Sequence, residues 1–200
     1  MNRNVALDVS SLPDHGFGPA GIGWWGVLGF MLIEGMGFVL ALGAYFYLIP
    51  YEKQWPPAGS PPPLFWATTG VVLAVLSEIP NILTSRAARK QELQRTRLWL
   101  TVTFVVSLLL TLVRAFECHA FNVRWDANAY GSINWGILVM HYADLITDVW
   151  DMGVLVAMVF LKPVDGRKFS DCDDNAAFWH FLVVTWVIVY VVMYWVPRWL

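Results

Sequence analysis

The sequence predicts an all-α fold, a polytopic membrane bundle of five transmembrane helices. Three observations carry that prediction. Hydrophobic residues make up 58% of the 200-residue chain and charged residues only 14%, whereas about a quarter of the residues in soluble domains are charged. The apolar residues gather in five runs, each long enough, at about 1.5 Å per residue, to cross a hydrocarbon core of about 30 Å. Nine of the twelve Trp residues lie near the ends of these runs, where amphipathic rings sit at a membrane–water boundary. The net charge of −2 is uninformative about partners, and no nucleic-acid partner is expected.

Residues 1–21 form a polar lead, expected to be irregular, with Pro13, Gly16, Gly18 and Pro19. It has no apolar core of its own and so is not a signal peptide. Residues 22–200 then form one transmembrane domain. Helix 1 spans about 22–49 and is apolar throughout except for Glu34. Its glycines at 23, 26 and 29 fall three apart, and small residues at such spacing let neighbouring helices approach closely. Pro50 and the run WPPAGSPPP at 55–63 end it, since proline cannot continue a helix. Helix 2, about 64–84, contains Glu78 and Pro80, and a strongly basic stretch follows: Arg86, Arg89, Lys90, Arg95 and Arg97 against Glu92. Helix 3, about 97–117, ends with Arg114 and Glu117, three apart on one face and so placed to form an ion pair. Helix 4, about 132–161, is the most polar, with His141, Asp144, Asp148 and Asp151. Lys162 to Asn175 reads as a charged loop, and helix 5 covers about 176–196.

Five spans put the termini on opposite sides. With the N-terminus inside, the inner segments hold nine Lys or Arg and the outer segments three, Arg114 lying within a span. That is a positive-inside bias, and it predicts a cytoplasmic N-terminus; a multi-pass protein of the bacterial inner membrane is expected. Cys118 and Cys172 then lie on opposite sides of the bilayer, so no disulfide joins them.

An ionisable residue within a span is a functional-site candidate that needs a partner. The acids in question are Glu34, Glu78, Glu117, Asp144 and Asp148, as structural groups or as handlers of protons. Glu34 has no cation near it in sequence, so a neutral carboxyl hydrogen-bonded across helices is expected. His141, Asp144 and Asp148 share one helix face, and Asp144 and Asp148 are expected to pair with His180 or Arg114. A di-metal carboxylate site in a bundle wants Glu-x-x-His, which the chain lacks. Haem needs axial ligands. His15 and His119 lie near loops, and His141 and His180 are expected in opposite halves of the membrane. No catalytic residue and no metal ligand is therefore assigned.

Taken in order, these segments are similar to subunit III of the haem-copper cytochrome c oxidases, over about 22–196. The resemblance rests on Glu34 followed by GMGFVLALGAYFY, on WPPAGSPPP, on Glu117 at the end of helix 3, and on AYGS at 129–132 before a helix with His141. It continues in WHF at 179–181, with Trp179 and His180, and in YW at 194–195. Each motif is short, and it is their order across five helices that is specific. The chain departs from the family pattern at Asp144, where a second His is usual, and at Val183, Arg114 and Cys118, where Asp, Gln and Tyr are usual. Larger members have seven helices, and this chain corresponds to the last five.

The resemblance implies an accessory core subunit of an oxidase that passes electrons from cytochrome c to oxygen and pumps protons. It implies no redox cofactor on this chain, with haem and copper on partner subunits. It also implies packing against subunit I and subunit II among membrane lipids, and support of the catalytic subunit and its proton uptake. One alternative is an accessory subunit of a nitric-oxide reductase. A second is a proton-coupled transporter using the intramembrane acids, which predicts substrate flux in liposomes by the chain alone. A third is a di-metal enzyme, which predicts metal in the pure chain.

Overall fold

In the computed structural model, which describes residues 15–57, 61–161 and 163–200, every regular element among the described residues is helical. The elements are α1 (Ile22–Leu48), α2 (Leu64–Arg89), α3 (Leu93–Ala120), α4 (Ala129–Leu161) and α5 (Gly166–Tyr190). The last continues through a π-helical turn, Val191–Trp195, into a final turn, Val196–Trp199. Most of the polar lead, residues 1–14, lies outside the described residues, as do 58–60 of the proline-rich loop and Lys162. Among the described residues four helical stretches are long and apolar enough to cross a membrane: Ile22–Tyr51, Leu64–Arg89, Leu93–Ala120 and Gly166–Trp199. The chain is a membrane protein. The remaining helix, α4, has 33 residues and ample length, but Asp144, Asp148 and Asp151 lower its apolar character.

The helix ends explain two differences from the sequence reading. The basic stretch after α2 is almost all helix, and the turn is confined to residues 90–92. Gln91 takes a left-handed φ of 55°, and the N–H groups of Lys90, Gln91 and Glu92 donate to the carbonyls of Arg86, Ala88 and Ala87. These bonds satisfy carbonyls that a helix C-terminus leaves free. Residues 166–175, expected within a charged loop, form the first turns of α5. The Asp165 side chain caps the helix by accepting from the Lys168 N–H at 3.2 Å. Phe169, Cys172 and Ala176 then bury one face, so the charges occupy the sides of a helix whose inner stripe is apolar.

The helices form a layered bundle. Antiparallel α2 and α3 pack along their length, α5 lies against α2 and α4, α4 lies against α3, and α1 flanks α4 and α5. At one end, Trp55 donates to the Tyr45 hydroxyl at 2.8 Å and its ring meets Tyr130 edge-on at 4.9 Å. At the other end, Arg97 donates twice to the Val159 carbonyl, at 3.0 and 2.8 Å. There too Arg89 and Ser85 of α2 hold Asp173 of α5, at 2.9 and 2.6 Å. Asn128 accepts from the Gly131 N–H at 2.7 Å to start α4. A Cβ at Gly131 would collide with the Arg124 carbonyl, so the close approach of that loop requires glycine. Only Phe38 and Tyr45 of α1 are buried.

Candidate functional site

The centre of the bundle holds a polar network built by α3, α4 and α5. Arg114 and Glu117 lie on the inner face of α3, 1% and 2% exposed, with Nη1 2.5 Å from Oε2. The other nitrogen, Nη2, meets Nδ1 of His141 at 3.1 Å, and Nε2 of that ring meets the Leu182 carbonyl at 3.1 Å. Arginine can only donate, so Nδ1 accepts, and Nε2 carries the ring proton and donates. Both His141 nitrogens are thereby engaged by protein groups. The Tyr194 hydroxyl donates to Oε1 of Glu117. The guanidinium lies over the Trp186 ring, 3.1 Å from its centroid, a cation–π contact in a desolvated setting. The arrangement keeps one positive and one negative charge in the apolar core with most of their hydrogen bonds made, the condition under which buried ions are tolerated.

The other candidates are distributed around this network. The Glu34 and Asp144 carboxyls stand close enough to hydrogen-bond to one another, joining α1 to α4. Two carboxyls can share a hydrogen bond only if one carries a proton. Asp148, one helical turn on, accepts from the Asn175 amide at 2.9 Å. Glu78 pairs with His180 at 2.9 Å, on the α2–α5 face where His180 is 62% exposed. Trp179 turns the other way, fully buried, and donates to the Ser77 hydroxyl at 2.9 Å.

Two expectations are corrected here. Asp144 and Asp148 pair with neither His180 nor Arg114. One stripe of α4 faces three neighbours along its length: His141 meets α3 and α5, Asp144 meets α1, and Asp148 meets α5. Nor do His141 and His180 lie in opposite halves of the membrane, since His141 bonds the carbonyl at Leu182, two residues beyond His180. The early start of α5 puts His180 about four turns into the helix, level with His141 but pointing outward. Trp186 and Asn175 were not singled out from the sequence, and Tyr194 entered only through the YW pair, with no partner assigned to it. The available signal was the placing of Trp179 and Trp186 seven apart and of Tyr190 and Tyr194 four apart, which sets each pair on one helix face.

The fold and this network define a polytopic helical membrane protein whose interior is organised on a buried, hydrogen-bonded ion pair. No family model matches the chain. Sequence relatives do. It is 21% identical to cytochrome c oxidase subunit 3 of Thermostichus vulcanus over 174 residues, covering 86% of this chain and 87% of that protein. It is 24% identical to a probable cytochrome c oxidase subunit 3 of Mycobacterium tuberculosis over 152 residues, 72% of each chain. With the subunit 3 of Coturnix japonica it shares 24% over 184 residues, 86% of this chain and 68% of that one. These relatives support reading the chain as a member of the cytochrome c oxidase subunit III family.

Proposed function

We propose that the chain is an accessory core subunit of a cytochrome c oxidase and crosses the bacterial inner membrane five times with its N-terminus in the cytoplasm. The observation that carries this reading is the series of subunit 3 relatives that align over most of both chains. The length of α4, 33 residues, supports a fifth span, and Asp144 and Asp148 within it are buried among the neighbouring helices. The nine-to-three distribution of Lys and Arg supports the orientation. Haem and copper belong to subunits I and II, against which this chain packs. His141, with both ring nitrogens bonded within the protein, has no lone pair left to give a metal, and His180 faces Glu78.

In this role Arg114, Glu117, His141 and Tyr194 lock α3, α4 and α5 in register, which fixes the surface offered to the catalytic subunit. Glu34 and Asp144 form a carboxyl pair that holds a proton within the membrane, suited to supporting proton uptake. The test is purification of the tagged chain from its native membranes in mild detergent. A stoichiometric haem protein that oxidises cytochrome c with oxygen uptake is expected. Isolation of the chain alone, or with a complex that reduces nitric oxide and not oxygen, would overturn the reading. In the intact complex Glu34→Gln should leave assembly unchanged and lower turnover or pumping. Equal turnover and pumping would remove Glu34 from proton handling.

A further inference from the structure

Of the glycines spaced three apart in α1, Gly26 and Gly29 are not used inside the bundle. A Cβ at Gly26 or Gly29 would meet nothing within 4 Å, and one at Gly23 would meet the Asp174 carboxylate. Beside Gly23 and Gly26 a groove of about 600 Å³ runs between α1, α4 and α5. Four acids line it: Asp148, Asp151, Asp171 and Asp174. Asp148 is 3% exposed and Asp174 6%. Asn175 donates to Asp148 Oδ1 at 2.9 Å and approaches Asp151 Oδ2 at 3.4 Å. Among the described residues, Asp148 Oδ2 and Asp174 Oδ1 are buried with no hydrogen-bond partner. Among those residues, too, no three His, Cys, Asp or Glu gather as a metal site, so the carboxyls are strung along the groove rather than round one point.

A buried carboxylate without a donor is costly, and a cation within hydrogen-bond reach offsets the cost. Val27, Phe30 and Phe178 also line the groove and suit the apolar stem of a long basic side chain whose head reaches the acids. The open glycines let a second backbone come close. Shape and charge therefore match a helix carrying one basic residue at this depth.

We propose that the groove receives a transmembrane helix of a partner subunit, which lies along Gly26 and Gly29 and places an arginine or lysine between Asp148 and Asp174. The inference rests on the reading of the chain as one subunit of a membrane complex. The test uses the intact complex in native membranes, with Gly26→Cys carrying a short photo-crosslinker. The expected adduct maps to a transmembrane segment of another subunit, within about one helical turn of an Arg or Lys. Asp148→Asn together with Asp174→Asn should cut its yield about tenfold or more. Adducts confined to lipid, or to segments without a basic residue, overturn the proposal, as does a yield that the double variant leaves unchanged. Should the double variant fail to accumulate, Gly26→Leu with Gly29→Leu fills the open stripe without touching the interior. That variant should release the same partner subunit on purification, and full retention would overturn the proposal. An adduct to a basic helix of a protein that is no oxidase subunit leaves the groove standing and removes the oxidase reading. An intact oxidase without the adduct does the reverse.

Discussion

Two groups of buried polar side chains occupy this bundle on opposite terms. Around Arg114 the charges are matched, with Glu117, His141 and Tyr194 each meeting a partner from another helix or turn. Along the groove of Asp148 and Asp174 the charges are all of one sign, and two oxygens have no donor among the described residues. The first group is charge-matched within one chain, with Arg114 Nε the one guanidinium nitrogen left without a partner among the described residues, and it holds the chain together. The second is incomplete alone. The contrast shows that burial of an acid does not by itself say what the acid is for; the inventory of donors around it does.

The largest effect expected from breaking this contrast is at Glu117. Glu117→Ala leaves the Arg114 charge buried and unpaired and should cost about 3–5 kcal/mol, read as a lower unfolding midpoint in mixed micelles. A double change to Leu at 114 and 117 should recover much of that loss, because it removes both ions together. A single Glu117→Ala that unfolds with the parent would show that the network does not hold the bundle. Tyr194→Phe removes one donor to Glu117 and should cost about 1–3 kcal/mol by the same measurement. Asp148→Asn in the isolated chain should be neutral or slightly stabilising, since it removes an unmatched charge; a marked loss would mean the groove is satisfied within this chain. The smallest effect is expected at the surface pair Arg124–Asp126, 2.8 Å apart in the loop before α4. The hydrogen bond from Arg124 holds the Asp126 carboxyl below the usual carboxylate range. A depressed carboxyl contributes stability above its unfolded value and loses it as pH falls through the folded one. Asp126→Asn should therefore flatten a slight acid-side slope in the midpoint, and added salt should abolish the difference.

The Arg114–Glu117 pair was legible because three residues along a helix fix two side chains on one face whatever the helix packs against. The partners that complete it, Tyr194 and Trp186, were not, because they come from α5 and depend on how that helix is rotated and how deep it sits. Glu34 was legible as an acid needing a partner across helices, but not Asp144 as that partner. The start of α5 was hidden for a different reason. Its first turns are rich in charge, and the apolar stripe of Phe169, Cys172 and Ala176 is narrow beneath Arg167, Lys168 and Asp171. Reading those ten residues as loop also displaced His180 from the level of His141.

By itself the sequence determined that this is a helical membrane protein, the order of its apolar runs, and the buried Arg114–Glu117 ion pair set by local geometry. Which helix lies inside and which outside was decided only by the tertiary structure. The apolar windows of Ile22–Tyr51 and Gly166–Trp199 are almost equally hydrophobic, yet 6% of the first is buried within the chain and 56% of the second. Lipid and protein interior are alike apolar, so hydropathy commits a segment to the membrane without saying which of them it will face. That choice rests on the shapes and donors of the neighbouring helices.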